Sequence, residues 1–182
     1  ALKQSASLDE VMLLSTCNRV EVYGVQGHMN HDLIVSELAR MSGVQPEDLA
    51  PHCFVRGHEA AVEHIFRVTA SLESMVVGEP QILGQVKRAY AKAKEFGTVG
   101  VILDRCMSAA FRGAKRARTE TEIARGSASV ASVGVDLAKR IYGDLKGTRV
   151  CVLGAGEMAQ TTAVHLREAG VEHMLVVNRN EA

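Results

Sequence analysis

Tryptophan is absent from this chain of 182 residues, proline occurs three times, and aromatic residues make up only 4%. That scarcity argues against a β-sandwich, which depends on aromatic and β-branched pairs. Aliphatic residues and alanine must fill the core, and a hydrophobic content of 47% suffices for a sizeable one. Net charge is also missing, since 21 Lys and Arg balance 21 Asp and Glu. No bulk field therefore marks a polyanion binder, and any such contact needs a local patch. The four cysteines, Cys17, Cys53, Cys106 and Cys151, form no Cys-x-x-Cys pair, so the usual metal-ligand spacing is lacking and no metal is expected. Their wide spacing suits reduced thiols in the cytoplasm. Neither a secretory segment nor an apolar run long enough to span a bilayer is present. The chain begins at Ala1 and ends just past a predicted strand, which reads as a piece cut at both ends.

Hydrophobic periodicity organises what is there. Strands are predicted over 11–14 and 20–25, joined by a turn at 15–19, and a third short strand over 52–56. With a helix over 31–41 they suggest a small α+β sandwich. Val62, Ile65, Phe66 and Thr69 form an apolar stripe on a helix over 58–69, which places His64 on the opposite side, facing solvent or a cleft. Residues 72–82 read as irregular around Gly78 and Pro80. Helices follow over 82–96, 103–119 and 129–142. The segment 143–147 is the expected domain boundary, giving domains over 1–143 and 144–182. Beyond it a buried strand over 148–153, a helix over 156–169 and a strand over 173–178 make one β-α-β unit.

Two motifs carry chemistry. The run Leu14-Ser15-Thr16-Cys17-Asn18-Arg19-Val20-Glu21-Val22-Tyr23 sets one cysteine among polar and charged residues. A cation two residues away favours the thiolate, the reactive form. The residues alone leave two readings open for Cys17, a nucleophile and an inert core thiol. Cys53, Cys106 and Cys151 lie in apolar patterns and read as core. The second motif, Gly154-Ala155-Gly156-Glu157-Met158-Ala159, follows a strand and opens a helix, the context of a dinucleotide fingerprint. Its first glycine permits the tight turn, the second lets backbone approach a pyrophosphate, and Ala159 replaces the third at the helix–strand contact. Asn178 and Arg179 stand where an NAD site carries an acid. A neutral side chain beside a guanidinium suits a 2′-phosphate and so NADP(H); the alternative is an ordinary surface arginine.

Other features are less pointed. Spacing does not single out His64 among His28, His31, His52, His58, His165 and His173. Ser74, Glu79, Gln81 and Gln85 cluster around Gly78 and Pro80, and Glu79 would favour the dipole of the helix that follows. Arg105, Arg112, Lys115, Arg116 and Arg118 form a basic stretch able to meet phosphates, or a solvated helix face.

Taken together these residues resemble the glutamyl-tRNA reductase family, over nearly the whole chain. The Cys17 run, the block Ser74-Met75-Val76-Val77-Gly78-Glu79-Pro80-Gln81-Ile82-Leu83-Gly84-Gln85-Val86-Lys87 and the loop from Val152 to Met158 carry the resemblance. It implies an α/β fold: a ferredoxin-like α+β catalytic domain with added helices, then a truncated Rossmann β-α-β unit. It implies an NADPH-dependent oxidoreductase of porphyrin biosynthesis. Glutamyl-tRNA would be reduced to glutamate-1-semialdehyde through a cysteine thioester. Cys17 matches the family's nucleophile and His64 its functional histidine. Thr16, Asn18, Arg19, Ser74, Glu79, Pro80, Gln81 and Gln85 match its glutamate-recognition residues. Gly154, Ala155, Gly156, Glu157, Met158 and Ala159, with Asn178 and Arg179, match the cofactor site. Glutamyl-tRNA and the aminomutase that receives the semialdehyde are the implied partners, with no membrane. The family's first strand and its C-terminal dimerisation helices have no counterpart here. Ser71 stands where the family usually has glycine. Two further readings remain for such a piece: an esterase on glutamyl-tRNA, and a noncatalytic tRNA- or partner-binding module. Weak or no NADPH affinity is expected, because residues 144–182 are few for a stable nucleotide domain.

Overall fold

The structure, a computed structural model, describes residues 2–27, 30–124 and 129–179. It is a mixed α/β protein in two compact units, Ala1–Arg125 and Gly126–Ala182. His28 lies outside the described residues.

The first unit starts with α1 (Leu2–Ser5) and the antiparallel hairpin β1 (Glu10–Ser15) and β2 (Val20–Val25), in a register pairing Met12 with Tyr23 and Ser15 with Val20. Then come α2 (His31–Ser42), α3 (Pro46–Leu49), a 3₁₀ turn (Ala50–His52), α4 (His58–Thr69), α5 (Gln81–Glu95) and α6 (Val101–Glu120). Alternation along the hairpin decides the packing. Met12, Leu14 and Tyr23 face a core completed by Ile65 and Val68 of α4, Ile82 and Val86 of α5, and Leu103, Met107 and Ala110 of α6. Val11 points the other way, into a smaller cluster with Ala6, Leu8 and Ile34.

The strand expected over 52–56 is not formed. Pro51 and His52 belong to the 3₁₀ turn, and residues 53–57 run on without pairing to any described strand. Apolar content favours an extended chain there, but a strand needs a partner edge. Cys53, expected in the core, is consequently exposed.

A buried carboxylate that the sequence does not advertise ties β1 to α6. Glu10 accepts from the backbone N–H of Ile102 at 3.0 Å and Leu103 at 2.7 Å. It thereby satisfies two of the orphan donors at the helix start.

The second unit comprises α7 (Val130–Tyr142), β3 (Arg149–Leu153), α8 (Glu157–Glu168) and β4 (His173–Val177), with β3 and β4 parallel and α8 as the crossover. Ser129 caps α7 by accepting from Ser132 N–H at 3.0 Å. The expected boundary after residue 143 falls one helix earlier, because Val135 and Ala138 of α7 pack with Leu145, Leu166 and Val171. Nor is β3 buried on both faces: Val150 and Val152 turn inward, whereas Arg149, Cys151 and Leu153 are exposed. Cys151 is thus no core thiol. Cys106, on α6, is half-buried, and burial pushes its thiol pKa up.

Candidate active site

The site grows from the β1–β2 turn. Thr16 N–H donates to the Arg19 carbonyl at 2.9 Å, which leaves Cys17 and Asn18 as a two-residue tip. Hairpin tips of that length usually take left-handed backbone at glycine or asparagine. Neither residue does so here; instead Thr16 Oγ1 accepts from the N–H of Asn18 at 3.2 Å and of Arg19 at 3.0 Å. The threonine therefore shapes the turn, and Cys17 is presented to solvent at its tip.

Arg19 is half-buried and directed inward. Its Nη1 donates to Glu21 Oε1 at 3.2 Å and its Nη2 to the carbonyl of Glu73. Glu21, only 8% exposed, is the hub of the site. Its Oε2 also accepts from the Tyr23 hydroxyl at 2.7 Å and meets His64 Nε2 at 3.1 Å. Burial, then the Glu21 charge and that hydrogen bond, push the Tyr23 pKa far above the usual phenol value. A carboxylate accepts only, so Nε2 is the protonated nitrogen of His64 and Nδ1 is the acceptor when the ring is neutral. Placing His64 opposite the apolar stripe missed its burial. Ile65, Val68, Thr69 and His64 are all buried, while Val62 is 46% exposed. The face of α4 expected to meet solvent or a cleft is covered in part by Glu21 and by Phe54, whose ring meets the histidine edge-on at 5.5 Å.

The loop between α4 and α5 forms the second wall. Arg67 Nε donates to Glu73 Oε1 at 2.5 Å, and this hydrogen bond holds the Glu73 carboxyl below the usual carboxylate range. Glu79 caps α5: Oε2 accepts from Gln81 N–H at 3.1 Å and Oε1 from Ile82 N–H at 3.0 Å, with the Ser74 hydroxyl at 3.5 Å. Ser71, buried, donates to the Glu79 carbonyl at 2.8 Å from a left-handed backbone (φ 64°). Gly78 closes the loop at φ 85°, where a side chain would strike the carbonyl oxygen of Ile123.

Among the recognition candidates, Arg19 and the 73–79 loop are joined through the Glu73 carbonyl, and His64 joins them through Glu21. Asn18, Pro80 and Gln81 are exposed, Gln85 is half-buried, and among the described residues the side chains of Gln81 and Gln85 make no hydrogen bond. Glu21, which stands in the Cys17 run, is not among the site residues expected from the sequence. Its signal was a carboxylate alternating into the apolar face of a strand. On α6, Arg116 pairs with Glu120 at 3.0 Å and Arg118 reaches the Gly78 carbonyl. Arg105, Arg112 and Lys115 are exposed and without ion pairs among the described residues.

In the second unit, Gly154, Ala155 and Gly156 link β3 to α8, whose first turn carries Glu157, Met158 and Ala159. Gly154 is left-handed at φ 104° and its N–H reaches the Val177 carbonyl at 2.7 Å. A Cβ at Gly156 would touch nothing within 4 Å, so the protein's own packing does not demand glycine there. No side chain caps α8. Bare backbone before an uncapped helix start fits a pyrophosphate. Asn178 and Arg179 follow the end of β4 and are exposed. No described helix is long and apolar enough to cross a membrane, and no described His, Cys, Asp and Glu cluster could hold a metal.

Comparison with known proteins shows the family to which the chain is similar. The family model described as glutamyl-tRNAGlu reductase, N-terminal domain, matches residues 1–121, and that of shikimate/quinate 5-dehydrogenase matches residues 136–182. A glutamyl-tRNA reductase of Aquifex aeolicus is 48% identical over 178 residues, covering 98% of this chain and 43% of the relative. That of Geobacter metallireducens is 48% identical over 183 residues, covering 98% and 42%. The solved glutamyl-tRNA reductase of Methanopyrus kandleri superposes with a TM-score of 0.60 at 40% identity, over 98% of this chain and 42% of that one. The chain thus spans less than half the length of these relatives.

Proposed function

The chain belongs to the glutamyl-tRNAGlu reductase N-terminal domain family, and from that premise we propose that it acts on glutamyl-tRNA through a thioester at Cys17. The observation that carries the reading is the exposed Cys17 at a turn whose Arg19 is clamped between Glu21 and the Glu73 carbonyl. Cys17 Sγ attacks the ester carbonyl that joins glutamate to the terminal ribose. The carbon–oxygen bond breaks, the thiol proton ends on the released ribose hydroxyl, and glutamate remains as a thioester. Covalent catalysis of this kind divides one difficult step into two easier ones. Arg19 has five N–H donors and uses two on Glu21 and Glu73, so it retains donors for the substrate carboxylate. His64 Nδ1 is the group that carries the proton between thiol and ribose. Thr16 shapes the turn and Asn18 flanks the thiol, while Ser74, Pro80, Gln81 and Gln85 line the glutamate side. Glu79, whose oxygens hold the start of α5, positions that wall.

The Gly154–Ala159 loop, with Asn178 and Arg179 for a 2′-phosphate, would hold NADPH. When bound, NADPH supplies the hydride that converts such a thioester to glutamate-1-semialdehyde, the first step of five-carbon tetrapyrrole biosynthesis. We read the first unit as the family's ferredoxin-like catalytic domain with added helices, and the second as the opening of its Rossmann domain. The aminomutase that takes up the semialdehyde is the downstream partner, and the compartment is the cytoplasm, where the thiol stays reduced.

The test is glutamate release from glutamyl-tRNA by this chain without cofactor. Water should hydrolyse the thioester, so the chain should act as an esterase, and Cys17→Ser should abolish release while tRNA affinity is retained. No release by the unsubstituted chain, with tRNA still bound, would favour a noncatalytic module using the exposed Arg105, Arg112 and Lys115.

A further inference from the structure

Aromatic surface is scarce in this protein, with four Phe, three Tyr and no Trp. Most of it is used inside: Tyr23, Phe66, Tyr90 and Phe111 belong to the main core or pack against it. Phe54 is different. It sits in the unpaired segment before α4 and is 63% exposed. The Arg56 guanidinium lies 5.4 Å from its ring centroid, and its ring meets that of His64 at 5.5 Å with the planes at 84°. His64 leads to Glu21 at 3.1 Å, and Glu21 to Arg19 at 3.2 Å, two residues from Cys17. Phe96 is also exposed, but its cation partner is Lys92, which is not a residue of the site.

We infer that Phe54, with Arg56 beside it, is the stacking platform for the purine of the nucleotide whose ribose carries the glutamyl ester. The inference rests on the reading of Cys17 as the nucleophile toward glutamyl-tRNA. Every charged tRNA bears its amino acid on a terminal adenosine. The adenine therefore lies one ribose away from the carbon that Cys17 attacks. Single-stranded RNA ends are held by stacking on aromatic rings and guanidinium planes, contacts that need a π-face and no base-edge code. An exposed phenylalanine steadied edge-on by the site histidine and flanked by an arginine supplies both surfaces. Their place beside His64 also accounts for a large apolar side chain being left in solvent in an unpaired segment. Phe54 would then be a specificity residue, selecting nucleotidyl esters of glutamate over simple ones, while Arg19 recognises the amino acid.

The experiment compares the rates at which Cys17 is acylated by 2′(3′)-O-glutamyl adenosine and by glutamate ethyl ester, read as intact mass. The measured quantity is the ratio of the two rates within one preparation, so loss of folded protein cancels. Phe54→Ala and Phe54→Leu should lower the adenosyl-to-ethyl ratio by about 10- to 100-fold, the scale of one base–aromatic stack. Phe54→Tyr should keep it. A ratio unchanged in Phe54→Ala, including equal loss of both rates, overturns the platform and assigns Phe54 to supporting His64. A Phe54→Leu ratio like the parent's also overturns it, because bulk without a π-face would then suffice. Acylation of the parent by neither ester overturns the reading of Cys17 itself, and the platform with it.

Discussion

His64 on α4 and Glu21 on β2 share a hydrogen bond of 3.1 Å across 43 residues of sequence, and both are buried. The same carboxylate takes the Tyr23 hydroxyl and the Arg19 guanidinium. One acid thus fixes the tautomer of the histidine and the direction of the arginine. Glu21→Gln keeps the shape but supplies a neutral acceptor and adds donors that face other donors. Hydrogen bonds to charged groups are worth about 1.5–3 kcal/mol, so single-turnover acylation of Cys17 by glutamyl-tRNA should slow about tenfold or more. An unchanged rate would remove Glu21 from the site's working parts.

Tyr23 makes stability fall on the alkaline side. Its folded pKa is raised above the unfolded value of about 10, so the folded state holds the phenol proton more tightly. That contribution is whole below the unfolded value and is lost as pH rises toward the folded one. Tyr23→Phe should therefore be less stable near neutrality by about 1.5–3 kcal/mol, through loss of the hydroxyl donated to Glu21. It should also lose less than the parent between about pH 9 and pH 11. Denaturant midpoints at both pH values check both signs.

Ser71 carries a left-handed backbone and a buried hydrogen bond at once. Ser71→Ala keeps the backbone strain and loses the bond; Ser71→Gly loses the bond and relieves strain of roughly 1–2 kcal/mol. Thermal unfolding should rank the glycine variant above the alanine variant. The reverse order would mean that the left-handed conformation costs nothing here.

The second unit leaves much of its sheet uncovered: Leu153 is 81% exposed and Leu175 62%. A two-stranded sheet is marginal alone, and ordering a marginal unit on binding costs part of the binding energy. NADPH should therefore bind this chain weakly or not at all at micromolar concentration. Saturable micromolar binding by calorimetry would contradict that.

Much of the fold was legible because local period and burial agree. Helix α4 runs over the residues that its apolar spacing marks, and β3–α8–β4 follows the expected strand–glycine loop–helix–strand order. The failures are tertiary. Residues 52–56 have strand composition without a partner edge. His64 lies off the stripe that apolar spacing marks on α4, but the buried face of that helix is turned to include it, beside Glu21 of a distant strand. Glu10 takes its donors from 92 and 93 residues away, and Glu21, beside its near donors Arg19 and Tyr23, meets His64 from 43 residues away; no spacing rule anticipates the distant partners. The site's Cys17 and Arg19 were legible as motif residues; the clamp that aims Arg19 was not. Ser71 did leave a trace, since it occupies a position where the family usually has glycine and proves to be left-handed.

The central claim is that Cys17 forms a covalent bond to glutamate. Its most direct test is intact mass of the chain after brief mixing with glutamyl-tRNA and an acid quench. The account predicts a glutamyl adduct that maps to Cys17 and is missing in Cys17→Ser. A folded chain that hydrolyses glutamyl-tRNA but carries its adduct elsewhere, or carries none under conditions that trap thioesters, would contradict it.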